Sequence, residues 1–396
     1  MRIAFVSHSR RKIGGAEVYL DSVIPALARA GHEVACLYET DPLSDRAAIA
    51  CPEDAPSWCA SNLGVTPSLE KLKSWGADVI YTHGLFDPAI ESAVIGVAPA
   101  VLYVHSYYGT CISGNKLHNT STPRVCERRF GPACLLHYFP DHCGGSNPLT
   151  MLSRYRLQSR RLELMRRYRA LIANSQHMVR ELAHHDLQSE CVYPFAVSTD
   201  VVRVAAQPSF EDDPLRLIFA GRMSSLKGGV YLLSAIPDIQ RALGRKLHIT
   251  FAGDGPDREE WQRLAALQQN ESTTFDFPGW LAATDLQSAI SRSHLLIFPS
   301  IWPEPFGLSG PEAGLLGVPS VAFAVGGVPE WLGDGVTGHL ASVPPTSAAL
   351  AQAILKALSS AEHYSELRAG AYRQAHRYQL ADHLAQLTRI FEKVAA

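Results

Sequence analysis

The stretch Leu295-Leu296-Ile297-Phe298-Pro299-Ser300, followed by Pro303-Glu304-Pro305-Phe306-Gly307-Leu308-Ser309-Gly310-Pro311-Glu312-Ala313, decides how this chain folds. An apolar run of strand length breaks at a proline, crosses a loop rich in proline and glycine, and opens a helix near Ser309. Glu304 falls in the loop and Glu312 in the helix, so both carboxylates belong to one end of a sheet. The same strand–loop–helix plan stands upstream in Leu215–Ala220, followed by Gly221-Arg222-Met223-Ser224-Ser225-Leu226-Lys227-Gly228-Gly229. Repetition of strand, crossover and helix implies a parallel sheet covered on both faces.

Outward from this core, His248–Ala252 and Val321–Ala324 read as further strands of the second half. Helices are expected over Gly229–Arg241, Asp257–Leu267, Leu286–Ser291 and Ser309–Leu316. The first half repeats the pattern, with strands at Arg2–Ser7, Glu33–Tyr38, Asp78–Thr82, Val101–His105, Ala170–Ala173 and Cys191–Pro194. Between the first two, Glu17–Ala30 carries Val18, Ile24, Leu27 and Ala28 at helical spacing and ends on Gly31. The expected fold class is α/β, with two Rossmann-like doubly wound domains facing a central cleft. The first domain spans residues 1–200, with an irregular insertion at about 106–150 and the helix 380–396 returning to it. The second spans 201–379, after a polar linker around Gln207-Pro208-Ser209. Ligands of such sheets bind beyond the carboxyl ends of the strands.

The 396 residues carry 46% hydrophobic and 19% charged side chains and a formal net charge of −2. That length suits two domains, and that charge leaves no global field to hold a nucleic acid. No long apolar segment and no leader pattern stands out, so a cytoplasmic location is expected, where structural disulfides are rare.

Several motifs bear chemistry. Gly14-Gly15-Ala16-Glu17 joins the first strand to its helix, where a phosphate or sugar oxygen can meet free amides. The alternative is that the two glycines only make a tight turn. It is not the G-x-G-x-x-G of nicotinamide enzymes. Arg222 and Lys227, with the helix opening at Gly228-Gly229, suit a diphosphate: a guanidinium fork, an ammonium and helix-end N–H groups. Phe306, Gly307, Leu308 and Ser309 belong to the same expected substrate-binding set, the last three offering amides at a helix start. Glu304 and Glu312 can each grip adjacent hydroxyls, one on a sugar and one on a ribose.

Together these residues resemble glycosyltransferase family 4, the retaining enzymes of the GT-B fold. Ala173-Asn174-Ser175, Gly253-Asp254-Gly255-Pro256, Val325-Gly326-Gly327-Val328-Pro329-Glu330 and Gly335-Val336-Thr337-Gly338 extend the likeness over nearly the whole chain. The resemblance implies a hexosyltransferase of polysaccharide biosynthesis using a UDP- or GDP-linked sugar. Its acceptor would be a glycan, a lipid-linked sugar or a small molecule. Arg222 and Lys227 would bind the donor diphosphate, Gly15 would approach the phosphates, Glu304 would contact the sugar and Glu312 the ribose. His105, at a strand end, matches a histidine beside the sugar, which makes His105 and Glu304 the catalytic candidates. Where many relatives have glycine after the first motif glutamate, this chain has Pro305, which lacks an N–H to donate. The alternatives are a nucleotide-sugar epimerase of the same fold and a non-catalytic sugar-nucleotide-binding protein.

No D-x-D string is present, so no metal cofactor is expected at the diphosphate. The insertion holds Cys111, Cys126, Cys134 and Cys143, which four-coordinate zinc could staple. Without a C-x-x-C pair, packed thiols or a reversible disulfide rank above zinc. Arg154, Arg156, Arg160, Arg161, Arg166, Arg167 and Arg169 crowd one helical stretch. A solvated helix face is the preferred reading, and peripheral contact with an anionic inner membrane face the second.

Overall fold

A computed structural model describes residues 1–42, 46–120, 122–197 and 208–396. The chain divides into two compact units. The first comprises Met1–Asn115, Arg128–Tyr193 and Leu380–Ala396, and the second comprises Lys116–Glu127 and Pro194–Gln379. The expected joint at 200/201, with Gln207 of the expected linker, lies outside the described residues. The insertion at about 106–150, assigned whole to the first half from sequence, is divided, since Lys116–Glu127 groups with the second unit.

The chain forms strands β1 (Arg2–Ser9), β2 (Glu33–Thr40), β3 (Ser57–Cys59), β4 (Val79–Thr82) and β5 (Ala100–Val104), then a short hairpin of β6 (Leu117–His118) and β7 (Arg124–Val125), then β8 (Ala170–Ala173) and β9 (Glu190–Cys191). The first sheet runs β3-β2-β1-β4-β5-β8-β9, and every pair in it is parallel. The later strands are β10 (Leu215–Ala220), β11 (Leu247–Ala252), β12 (Thr273–Gly279), β13 (Leu295–Phe298), β14 (Ser320–Phe323) and β15 (Gly338–Ala341). They form a second parallel sheet, β12-β11-β10-β13-β14-β15. In each sheet the order reverses beside the unit's first strand, between β1 and β4 and between β10 and β13. That reversal opens a crevice at the strands' carboxyl ends.

The central strands are buried from end to end. Ile3–Val6, Val79–Thr82, Leu295–Phe298 and Ser320–Phe323 all lie in the interior, as strands covered on both faces must. β12 and β15 escape a sequence reading because they lie at sheet edges. Thr273–Gly279 alternates exposed positions with buried or half-buried ones and contains Asp276 and Pro278, which an edge strand tolerates. The first long helix, Gly15–Arg29, buries Tyr19, Leu20, Val23, Ile24, Ala26 and Leu27, whereas Val18, expected on its apolar face, is exposed. Tyr19, not Val18, leads the inward face because helical packing follows the true 3.6-residue phase from Leu20 to Leu27.

The terminal helix, Leu380–Ala395, belongs to the first unit and buries His383, Leu387, Ile390, Phe391 and Val394. Its Phe391 ring meets Tyr81 of β4 edge-on. Among the described residues no helix is long and apolar enough to cross a membrane.

Candidate active site

In the second unit the loops after β10 and β13 converge on the crevice beside those strands. Gly221, Gly253 and Gly255 allow this by close backbone approach. A Cβ on Gly253 would stand 2.0 Å from the Gly221 carbonyl oxygen, and one on Gly255 2.2 Å from that of Met223. The Gly-Asp-Gly-Pro motif is therefore a packing device beneath the Arg222–Lys227 loop. Gly228, at φ 67°, would press a Cβ to 2.0 Å from the Pro299 oxygen, which fuses the two loops. The Leu226 carbonyl accepts from the amides of Ile301 and Trp302 at 3.0 and 3.2 Å.

These contacts bring together two candidates 77 positions apart. Lys227 Nζ lies 2.6 Å from Glu304 Oε1, and Ser300 Oγ donates to the same oxygen at 2.6 Å. Glu304 is only 4% exposed, so its charge is compensated by an ammonium and a hydroxyl and not by water. The Lys227 ammonium also stands over the rings of Trp302 and Phe298, at 5.3 and 5.6 Å from their centroids. Its side chain keeps a quarter of its surface open, enough to meet an anion while holding Glu304. The Val325–Glu330 segment fixes Glu304 from behind: Gly327 N donates to the Glu304 carbonyl at 2.7 Å, and Gly326 (φ 59°) leaves no room for a Cβ against the Glu304 backbone.

Arg222 is exposed, with no hydrogen bond or ion pair to a described residue. Gly307 takes φ 96°, Leu308 caps the helix Ser309–Leu315, and Glu312 lies within it. Packing around the Glu312 carboxyl raises it to about 7. Phe306 is placed differently from its substrate-binding expectation. Its side chain is buried against Tyr378, and its carbonyl accepts from the Trp331 indole at 2.7 Å. A benzyl side chain beside a proline turn gains more from the apolar interior than from a polar ligand.

The Glu312 carboxyl, raised to about 7 when folded against an ordinary value near 4.5, binds more protons in the native state across that window. Its ionisation therefore costs stability as pH climbs from 4.5 through 7. Glu312→Gln is expected to melt about 2–4 °C above the parent at pH 8 and equal to it at pH 4.5. Equal melting at both pH values in a calorimeter would show that Glu312 carries no such penalty.

In the first unit, the carboxyl ends of β1, β4 and β5 surround a cavity of about 310 Å³ lined by His8, Gly14, Glu17, His83, His105 and Arg161, among others. Gly14 caps the helix Gly15–Arg29, and a Cβ on Gly15 would meet nothing within 4 Å, so the backbone there faces open space. Glu17, read only as part of the turn motif, is buried. Desolvation raises its carboxyl, against the amides of Glu17 and Gly14 that hold it at the helix start. His8 Nδ1 stands 2.7 Å from Glu39 Oε2, and the amides of Phe86 and Asp87 donate to the same carboxylate at 2.8 and 2.9 Å.

His105 follows β5, and its Nε2 lies 2.8 Å from Nδ1 of His83, which follows β4. One nitrogen of this contact donates and the other accepts. Burial, and then His383, holds His105 down at about 3, and His83 lies well below the usual range for the same first reason. His83 was missed in the sequence because a lone histidine after an apolar strand gives no signal until the fold sets β5 beside β4. His83 is 8% exposed, and its Nε2 has no partner among the described residues although the ring lines the cavity.

Arg161 corrects the reading of a solvated arginine face. It is buried, donates to the Phe86 carbonyl at 3.2 Å, lies 4.5 Å from the Tyr108 ring centroid, and lines the cavity. Helix phase turns this one arginine inward beside Gln158, Leu164 and Met165. No three His, Cys, Asp or Glu side chains gather at metal-binding range among the described residues. In the insertion Cys134 packs with Ile112, Phe130 and Tyr138 in a small apolar cluster that Cys143 borders.

Comparison with known proteins follows the same division of the chain. Residues 13–194 match the family described as Glycosyltransferase Family 4, and residues 203–374 match Glycosyl transferases group 1. The chain belongs to glycosyltransferase family 4. This family member is 32% identical over 153 residues to a 2-deoxystreptamine glucosyltransferase of Streptomyces kanamyceticus, a match covering 38% of each chain. It is 29% identical over 186 residues to alpha-maltose-1-phosphate synthase of Mycobacterium tuberculosis, covering 46% of this chain and 45% of the relative. It thus spans less than half the length of these curated relatives. The GT-B fold is shared with solved structures over nearly full length. Anabaena HepE, solved with UDP and glucose, superposes with a TM-score of 0.68 at 19% identity over 99% of both chains. Sucrose-phosphate synthase of Thermosynechococcus elongatus reaches 0.69 at 18% identity, over 100% of this chain and 99% of that one.

Proposed function

We propose that this chain is a retaining glycosyltransferase that moves a hexosyl group from a UDP- or GDP-linked sugar to a glycan, lipid-linked or small-molecule acceptor. The observation that carries the reading is the Lys227–Glu304–Ser300 cluster at the strand-order reversal of the second sheet. Residues 201–379 bind the donor and residues 1–200 receive the acceptor. Lys227 and Arg222 offset the negative charge that builds on the departing diphosphate, and the amides at Gly307–Ser309 add fixed dipoles there. Glu304, freed in part from Lys227 by that anion, accepts hydrogen bonds from the sugar. Glu312 grips the ribose hydroxyls in its ionised form. His105 meets the sugar as a neutral imidazole. HepE, which binds UDP and glucose, supports the donor class.

The test is a melting series against nucleoside diphosphates and their sugars. A ligand at about a hundred times its dissociation constant adds roughly 2.7 kcal/mol, a shift of several degrees. We expect a shift with one base, lost in Arg222→Ala. No shift with any nucleotide would remove the donor assignment. Product analysis separates transfer from epimerisation, which leaves a rearranged nucleotide sugar and no glycoside. Because two cationic side chains supply the charge at the diphosphate, the initial rate in excess EDTA should stay within about twofold of the untreated rate. Complete loss restored by Mg²⁺ or Mn²⁺ would overturn that expectation.

A further inference from the structure

Away from both sites, two thiols face each other beside β2 of the first sheet. Cys36, in β2, is fully buried, and Cys51 is partly exposed. Their Sγ atoms are 2.7 Å apart, inside van der Waals contact and short of the covalent S–S bond of about 2.05 Å. The backbone on both sides is anchored, so this approach is built into the fold. Lys12 N donates to Ala47 O at 3.0 Å, and Ile49 N donates to Arg10 O at 2.9 Å. Ala50 N donates to Asp21 Oδ1 at 2.7 Å, and Cys36 N donates to Pro56 O at 2.8 Å.

We propose that Cys36 and Cys51 are a reversible disulfide site, closed by thiol–disulfide exchange with a small-molecule disulfide such as oxidised glutathione. Cys51 is the attacking thiol, since it alone of the two reaches the surface. The neighbouring Cys36 thiol, the Tyr38 hydroxyl 3.6 Å away and the Arg10 charge all favour its thiolate, which lowers it to about 7. The Cys51 thiolate forms a mixed disulfide with one glutathione and expels the other as thiolate. Cys36 then attacks Cys51 Sγ, and its proton leaves with the second glutathione thiol. Two protein thiols are oxidised and one glutathione disulfide is reduced. The facing Cys51 sulfur, and then burial, keep Cys36 protonated beforehand, and the mixed disulfide lifts the first restraint.

The bond would tie residues 46–51 to β2. That segment pairs with Arg10–Lys12, the stretch leading into Gly14-Gly15, so the cross-link braces one wall of the first-unit cavity. The inference does not depend on the glycosyltransferase reading.

The full chain is reduced with dithiothreitol, desalted, incubated with oxidised glutathione, alkylated with iodoacetamide, digested and analysed by mass spectrometry. We expect the Cys36 and Cys51 peptides joined and lighter by two hydrogens. Dithiothreitol should reverse this, and the joined protein should melt a few degrees higher. In Cys36→Ala, which leaves Cys51 in place and no resolving thiol, Cys51 should accumulate as the glutathione mixed disulfide. In Cys59→Ser the joined pair should form as in the parent. Alkylation of both thiols in the parent, or a mixed disulfide that persists there at Cys51, would overturn the proposal.

Discussion

Lys227→Ala is expected to lower kcat/KM for transfer by about 10²–10³-fold, the usual loss when one charge-stabilising group is removed from a transition state. It is also expected to lower stability by roughly 2 kcal/mol, because Glu304 would remain as a buried carboxylate with only Ser300 Oγ beside it. The two effects separate in a double variant. Adding Glu304→Gln removes the orphaned charge and should restore most of the melting temperature, while the rate stays at or below that of Lys227→Ala. A double-mutant cycle read by both calorimetry and initial rates tests this. If Lys227→Ala keeps kcat/KM within threefold of the parent, the lysine is a structural counter-ion of Glu304, and the donor diphosphate must be neutralised by Arg222 and backbone amides alone.

Replacing His105 by alanine should reduce kcat by about 10²-fold, at the lower end of what one preorganised hydrogen-bonding group contributes to a transition state. Held at about 3, its imidazole is neutral throughout the working range, so it serves by hydrogen bonding and not as a proton donor with a titration near neutrality. The kcat profile between pH 6 and 9 should therefore show no inflection that disappears in His105→Ala. His83→Phe should give a smaller loss, since His83 acts by holding the His105 ring through the 2.8 Å contact. The same histidines set an acid limit. Burial lowers His83, His105 and His383, the last to about 4. Their contribution to stability is present above the unfolded imidazole value of roughly 6.5 and is lost as pH falls through the folded values. Melting temperature should drop steadily from pH 7 to pH 5, and the drop should shrink in His383→Gln. An inflection near pH 7 that belongs to His105 would contradict the neutral role.

His383 ties this cluster to the end of the chain. Its Nδ1 donates to the Tyr193 carbonyl at 2.7 Å, which leaves Nε2 to accept from the Tyr19 hydroxyl at 2.6 Å. Tyr19 is hydrogen-bonded in turn to Tyr81 at 2.7 Å and stacks on Tyr103. Nothing in Leu380–Val394 marks His383 as more than a polar residue in an amphipathic helix. Only the packing of that helix against β4 and β5 turns it inward.

The residues divide by the range of the interactions that place them. Strand runs such as Leu295–Phe298, the glycine turns at Gly14-Gly15 and Gly228-Gly229, and the helix starts at Gly15, Gly229 and Ser309 are encoded locally. They depend on side-chain periodicity, on positive φ at Gly228 and on amides left free at a helix end, all of which act within a few residues. From these the sequence by itself determined the parallel α/β class, the two-part organisation and the loops that carry Arg222, Lys227, Glu304 and Glu312. It also carried the ordered motifs of family 4. Sheet order was not legible, because periodicity shows that a strand is buried and not which strand lies beside it. That order decided the Lys227–Glu304 pair, the His83–His105 contact and the approach of Cys36 to Cys51. Helix phase, set by packing, decided that Arg161 points into the cavity while Val18 points out. Each of these pairings is a contact between segments distant in the chain. Its energy exists only once the sheet has closed, and so only the tertiary structure could decide it.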